Sequence, residues 1–310
     1  MHILNSIRDL PQCDRLSVII NCGTRWVTTL ALVSALKSCG APLLLIDCES
    51  QDGSFEHFRH LSARFGFEFH WLEWPLKTHG TTLDALFLTA PASEILLIDS
   101  DVEVPDTRLL NAFRESLGND AGAYGAGFVH GPDALDGRHG LPPGVADYAE
   151  RMWIPLVLLR VEPIRRAMSH RQSFRAVKKF SEVTWSSAIS WIVGQRFWLP
   201  VLRRIPPSSV PAFTQYDTGA RIHAYLVSNG YRFAKVESSL WTSVLHFHGV
   251  TRAIRGGLVR RLMRGFGFSR AAQIETTNET LFATLQDRLA HHAIDVASYD
   301  LELRSGGTVL

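Results

Sequence analysis

Three short apolar runs in the first hundred residues each stop on a polar residue. Leu16 to Ile20 stops on Asn21, Pro42 to Ile46 on Asp47, and Ile95 to Ile98 on Asp99. Runs of this length read as buried strands. Segments of helical character separate them. Trp26 to Cys39 is halted by Gly40, Ser54 to Phe65 and Thr81 to Thr89 read as helices, and Pro105 opens a helix to about Leu117. Phe67 to Trp74 reads as extended, and Ala121 to Phe128 as a small, apolar strand. Strands alternating with helices predict an α/β fold with a doubly wound, mostly parallel central sheet.

The second half is less regular. A Gly/Pro-rich loop runs from His130 to Gly144, and Glu162 to Lys179 is rich in arginine and lysine. Trp185 to Val193 reads as a strand, and Tyr216 to Asn229 as a helix ended by Gly230. Two strands follow, Arg232 to Val236 and Leu240 to Leu245. The tail from Ala271 to about His292 reads as helical.

Composition narrows the class. The chain has 310 residues, 46% hydrophobic and 20% charged, with a net charge of +2. That suits a globular domain with a sizeable core and provides no global field for nucleic acid, so no nucleic-acid partner is expected. The four cysteines, Cys13, Cys22, Cys39 and Cys48, have no CxxC spacing and read as reduced thiols of a cytoplasmic protein. The N-terminal segment does not read as a signal peptide, and no run approaches the roughly 20 apolar residues of a membrane span.

The candidate chemistry lies where elements end: Asn21 to Arg25, Asp47 to Ser50, Asp99 to Asp101, Asp217, and His246 to Arg252. In open α/β sheets, ligands bind beyond the carboxyl ends of strands. A strand needs apolar residues such as Ile95 to Ile98, but it does not need two acids separated by one serine. Asp99 and Asp101 are hard oxygen ligands suited to Mg²⁺ or Mn²⁺.

In this order the motifs resemble the GT-A-fold glycosyltransferases, and most closely their family two. The resemblance rests on the Ser17-Val-Ile-Ile-Asn-Cys-Gly-Thr24 strand and loop, Leu43-Leu-Leu-Ile-Asp47, and Asp99-Ser100-Asp101 as a DxD motif. Tyr216-Asp217-Thr-Gly-Ala-Arg221 with Asn229-Gly-Tyr231-Arg232, and then Val244-Leu-His246, complete it. It covers roughly residues 15 to 252. The first loop departs from the family's Pro-Thr-Tyr-Asn, and one carboxylate, Asp217, stands where the family has a pair. His246-Phe-His-Gly249-Val-Thr-Arg252 is also similar to the His-x-x-Gly-x-x-Lys end of retaining family-eight enzymes.

The resemblance implies a hexosyltransferase-type enzyme that takes a sugar from a nucleotide-diphosphate donor, a UDP-sugar by preference, to an acceptor hydroxyl. The acceptor is a glycan, a lipid-linked sugar or a small molecule. Asp101 is implied as a ligand of Mn²⁺ or Mg²⁺, and Asp99 as a contact to the ribose or to the metal through water. His246 or His248 completes the metal site or touches the diphosphate. Asp47 is implied to accept from the base, Arg252 to support the diphosphate, and Asn21, Gly23, Thr24, Arg25 and Ser100 to line the nucleotide-sugar site. Asp217 is implied as the general base of an inverting displacement, and retaining transfer stays open. Residues 1–128 would form the donor half, 129–252 the acceptor and catalytic half, and 253–310 a basic amphipathic segment with a C-terminal helix.

Two other classes remain. Asp99-Ser-Asp101-Val also fits the start of a haloacid-dehalogenase-like phosphatase, with Asp99 as nucleophile, but no Gly-Asp-x-x-x-Asp motif follows downstream. A non-catalytic nucleotide-sugar-binding module would keep the fold alone. Arginines interleave with Ile254, Leu258, Leu262 and Phe266 between Arg252 and Arg270. That segment reads as a packed helix with a basic face, as a lid, or as a peripheral contact with anionic lipid at the inner face of a membrane.

Overall fold

The computed structural model describes residues 1–104, 107–130, 146–180, 213–247 and 283–294. In chain order the first elements are β1 (His2–Leu4), β2 (Cys13–Asn21), α1 (Arg25–Ser38), β3 (Leu43–Asp47), α2 (Ser54–Phe65) and β4 (His70–Glu73). Next come α3 (His79–Thr89), β5 (Ala92–Asp99), β6 (Val102–Glu103), α4 (Thr107–Gly118) and β7 (Ala123–His130). Then follow β8 (Ala146–Tyr148), β9 (Arg151–Arg160), α5 (Val161–Ser169), β10 (Val177–Phe180), β11 (Phe213–Tyr216) and α6 (Ala220–Ser228). The chain continues through β12 (Arg232–Lys235) and β13 (Leu245–His246), and a helix over 283–291 (α7) ends the described residues. The fold is α/β, and most strand pairings are parallel.

The chain forms two compact units. One comprises Met1–Leu76, Ala90–Arg114 and Glu237–Leu310, and the other Lys77–Thr89 and Glu115–Val236. In the first unit, β1, β4, β3, β2 and β5 lie side by side in that order, all parallel. Leu16, Val18, Ile19, every residue of Leu43–Ile46, and Ile95–Ile98 are buried. Near-continuous aliphatic runs are what a parallel strand covered on both faces requires. The register matters for the site. Asn21 pairs with Asp47, and Ile20 with Asp99, so three strand ends place their polar residues on one edge.

In the second unit, β9 pairs antiparallel with β7, and β12 pairs parallel with β7. A separate sheet is ordered β10-β11-β8. The sequence did not mark β9 as a strand, although Met152 to Ile154 and Leu156 to Leu159 are buried. Pro155 interrupts the run, and proline cannot donate to a ladder. The strand tolerates it where the β7–β9 register shifts, between Gly127 and Val129.

Two expectations are corrected. The helix expected from Tyr216 begins at Ala220, because Tyr216 ends β11 and Gly219 caps the helix with φ +83°. A Cβ at Gly219 would lie 2.9 Å from Ile154 Cδ1 and 3.0 Å from Met152 Cε. Gly219→Ala therefore combines left-handed strain of about 1–2 kcal/mol with overpacking. It should lower the denaturant midpoint by the equivalent of at least about 2 kcal/mol without changing the m-value. The strand expected over Leu240 to Leu245 is a 3₁₀ turn at Ser238–Ser243, followed by the two-residue strand β13. Ser239 Oγ donates to Glu237 Oε2 at 3.2 Å, a local bond of the kind that competes with a ladder. The expected loop at 130–144, the strand at Trp185–Val193, and the basic segment at Arg252–Arg270 lie wholly or almost wholly outside the described residues.

Candidate functional site

Asn21 organises the polar edge of the first unit. Its side chain is fully buried. Nδ2 donates to Asp47 Oδ1 at 2.6 Å, to Ser54 Oγ at 2.9 Å and to Ser50 Oγ at 3.1 Å. Oδ1 accepts from Thr28 Oγ1 at 2.9 Å and from the Thr24 amide at 3.2 Å. One amide thus ties the loop after β2 to the loop after β3. Gly23 has φ +76° and its N–H donates to Ser50 Oγ at 2.8 Å, a turn that glycine adopts without strain. The Arg25 amide donates to Asp52 Oδ2 at 3.0 Å and its guanidinium to the Asp52 carbonyl at 2.6 Å. Asp47 is nearly buried, and its Oδ2 accepts from the Ser50 amide at 3.0 Å. Burial pushes its carboxyl up, and the bonds from Ser50 and Asn21 partly offset this.

Beside this network lies the DxD segment. Thr24 Oγ1 donates to Ser100 Oγ at 3.4 Å, and Asp99 ends β5 half-buried. The chain then turns into β6, which pairs antiparallel with β13 so that His246 faces Val102. The Phe247 amide donates to the Asp101 carbonyl at 2.8 Å. These bonds fix His246 Nε2 at 3.2 Å from Asp101 Oδ1, with both side chains 14% exposed. A carboxylate oxygen and an imidazole nitrogen converging at a shallow depth suit Mn²⁺ or Mg²⁺, which typically keep waters and take phosphate oxygens for the remaining positions. Among the described residues no group of three or more acidic, histidine or cysteine side chains converges. His248 and Arg252 lie outside those residues.

Two residues after Asp101, Glu103 is 1% exposed and paired. Arg288 of α7 donates to it twice, at 2.8 and 2.5 Å, and His292 Nε2 lies 3.0 Å from its Oε1. Burial alone would raise the carboxyl, but the bonds from His292 and Arg288 hold it below its usual range. The helix α7 is thereby anchored two residues after the candidate metal ligand Asp101.

Behind the first loop, His57 is buried, with Thr29 Oγ1 at 2.6 Å from its Nε2 and Trp26 edge-on at 4.7 Å. Burial first, and then the Arg25 charge, push its pKa down to about 3. The unfolded chain takes up a proton below about pH 6.5, whereas the folded histidine does not, so stability is lost as pH falls from there. Glu103 adds a loss of the same sign only lower, in the carboxylate range. Urea midpoints between pH 6.5 and 4.5 should therefore fall. The share due to His57 is about 1.4 kcal/mol per pH unit, and His57→Gln should flatten the profile by that share.

Asp217 belongs to the second unit. It does not cap α6, whose N-cap is Gly219. Its Oδ1 accepts from the Thr218 amide at 2.8 Å, and its Oδ2 is paired with Arg151 NH1 at 2.6 Å. The carboxylate is 35% exposed. In the same unit, Tyr124, His223 and Glu150 form a chain of bonds at 2.5 and 3.1 Å. Ser54, Glu103, Arg151 and Arg288 carried no sequence signal. Each is a common polar residue whose partner is distant in the chain.

Among the described residues the four cysteines form no disulfide. No helix among the described residues is long and apolar enough to cross a membrane. No protein-family model matches the chain, and no curated protein matches it. Among solved structures it is similar to the mannosyltransferase PcManGT from Pyrobaculum calidifontis, in complex with GDP-Man and Mn²⁺. The identity is 13% over 99% of this chain and 82% of that one, with a TM-score of 0.45. It is also similar to S. aureus TarS, at 12% identity over 50% of this chain and 29% of that one, with a TM-score of 0.35. A third is glucosyl-3-phosphoglycerate synthase from Mycobacterium tuberculosis, in complex with Mg²⁺ and UDP. There the identity is 14% over 49% of this chain and 57% of that one, with a TM-score of 0.33. The chain thus spans under a third of the length of TarS and under two thirds of the synthase.

Proposed function

We propose that this chain is a GT-A-type glycosyltransferase that uses a nucleotide-diphosphate sugar, with a UDP-sugar as the preferred donor. The observation that carries the reading is the meeting of Asp101 and His246 at 3.2 Å, beside strand ends that bring Asn21, Asp47 and Asp99 to one edge. Asp101 and His246 would hold Mn²⁺ or Mg²⁺. When bound, such a cation supplies Lewis-acid neutralisation of the departing diphosphate. Asp99, at the end of β5, would contact the ribose or the metal site. Asn21 holds Asp47 and the Gly23–Arg25 loop so that base and phosphates meet a rigid surface. Such preorganisation keeps the reacting bond aligned.

Asp217 serves as general base. It accepts the proton of the acceptor hydroxyl while that oxygen forms a bond to the anomeric carbon. The bond from that carbon to the diphosphate oxygen breaks, and the nucleoside diphosphate leaves with the electron pair. Attack opposite the leaving group inverts the configuration. Arg151, 2.6 Å from Oδ2, orients the carboxylate.

The test is to incubate the protein with a panel of nucleotide sugars, an acceptor mixture and Mn²⁺, and to follow nucleoside diphosphate release and the anomeric proton of the product. A β-linked product from an α-linked UDP-sugar is the expected outcome. An α-linked product would replace the inverting assignment with a retaining one. Hydrolysis of a generic aryl phosphate that Asp99→Asn abolishes would replace the transferase with the phosphatase.

A further inference from the structure

A second concave surface lies within the Glu115–Val236 part of the chain, distinct from the metal-ligand candidates. It is an open cleft of ≈ 650 Å³ between β10, β11 and α6, lined by Gln172, Lys179, Tyr216, Arg221 and Tyr225 among others. That volume is in the range of pockets that hold small molecules. The β10–β11 pairing sets Val177 opposite Tyr216 and Lys179 opposite Thr214, so Lys179 sits two residues along the same strand from the Tyr216 position.

The charges in the cleft are one-sided. Among the described lining residues there is no carboxylate, while Lys179 and Arg221 both line it. Among the described residues the Arg221 guanidinium is bonded only to neutral oxygens, the Arg171 carbonyl at 3.1 Å and Gln172 Oε1 at 3.3 Å. Arg171 presents that carbonyl from a left-handed conformation, φ +60°, which is uncommon for a residue with a side chain. The guanidinium is therefore oriented but not neutralised, and a planar fork in that state matches the oxygens of a phosphate or carboxylate. The tyrosines supply the second half. His170 stacks on Tyr225 at 5.4 Å and 26°, which holds that ring in place. Tyrosine rings offer a flat apolar face with a polar edge, which suits a sugar ring.

We infer that this cleft binds an anionic saccharide, a sugar bearing a phosphate or carboxylate. Arg221 and Lys179 take the anion, and Tyr216 and Tyr225 take the ring. As a statement about binding it stands without the transferase reading. As the acceptor's site, next in sequence to Asp217, it rests on that reading.

Calorimetric titration of the full chain with glucose 6-phosphate and with glucose tests it. Glucose 6-phosphate should bind at least about tenfold tighter than glucose, since charge-assisted bonds are the strong ones. Lys179→Gln and Arg221→Gln should each weaken the phosphate ligand several-fold, and both together should remove the preference. Lys179 is exposed, so its variant tests the claim without endangering the fold. UDP with Mn²⁺ should stabilise these variants as it does the parent. Vesicles carrying phosphatidylinositol present the same chemistry on a lipid. Sedimentation with them, lost in the double variant, would identify a headgroup rather than a free sugar phosphate as the source. Equal affinity for glucose and its phosphate, or phosphate binding untouched by both substitutions, would overturn the proposal. If nucleoside diphosphate is released from a donor while the sugar phosphate fails to bind, the cleft assignment alone falls. If the sugar phosphate binds and no donor is ever consumed, the transferase reading falls and the anion site stands.

Discussion

Asp101→Ala should lower donor turnover by about a thousandfold or more, and the fold should survive it. The Lewis-acid contribution of a divalent metal is typically several kcal/mol, and each 1.36 kcal/mol is a factor of ten in rate. The strand pairing that places the residue uses main-chain atoms. The Phe247 amide donates to the Asp101 carbonyl, and β6 pairs with β13 through Val102 and His246. Removing the carboxylate leaves those bonds in place. The side chain is only 14% exposed, but its ion-pair partner among the described residues, His246 at 3.2 Å, is itself held by the main-chain pairing of β13 with β6. Nucleoside diphosphate release measured across a Mn²⁺ series should therefore lose its metal dependence, while the melting temperature moves by only a few degrees. An Asp101→Ala enzyme with near-parental turnover at every metal concentration would remove Asp101 from the site.

Asp217→Asn should lower kcat by about 10²–10⁴, the range general-base catalysis typically contributes, and should leave KM for the donor close to the parental value. Asparagine keeps the shape and retains an oxygen to accept from the Thr218 amide, now at 2.8 Å from Oδ1. What it loses is the proton acceptor and the charge that pairs with Arg151 at 2.6 Å. Arg151→Gln separates these two effects. It removes the pairing at 2.6 Å while leaving the carboxylate, so it should lower kcat less than Asp217→Asn. If Asp217→Asn instead raised KM with kcat unchanged, the residue would be a binding group and not the base.

The sequence was most informative where local pattern and tertiary need coincide. β2, β3 and β5 are parallel strands buried on both faces, so each is a short aliphatic run, and the polar residue that stops each run lies at the sheet edge. The α2 boundaries were legible because Gly53 and Gly66 flank the helix in left-handed conformations. Where one residue served two masters, the pattern failed. Pro155 broke the apolar run of β9, although a register shift accommodates it. Tyr216 continued a helical periodicity that Gly219 interrupts. The site partners were hidden for a different reason. Glu103 meets Arg288 across 185 residues of chain, and Asn21 meets Ser54 across 33. Such pairs leave no spacing to recognise, because the tertiary fold and not the local sequence brings them together. The resemblance ordered Asn21, Asp47, Asp99, Asp101 and His246 along the chain. The network that makes Asn21 the hub and Glu103 the anchor is a property of the folded edge.

Both large predictions depend on a nucleoside diphosphate binding at this edge through a metal held by Asp101. Thermal unfolding of the parent chain and Asp101→Ala with UDP, with Mn²⁺, and with both together tests that dependence most directly. A ligand at a hundredfold excess over its Kd stabilises a fold by about 2.7 kcal/mol. UDP and Mn²⁺ together should therefore raise the parent's melting temperature by more than the sum of the separate shifts, and Asp101→Ala should lose that excess. No shift with UDP or any other nucleoside diphosphate in the presence of Mn²⁺, or an equal metal-dependent shift in Asp101→Ala, would contradict the account.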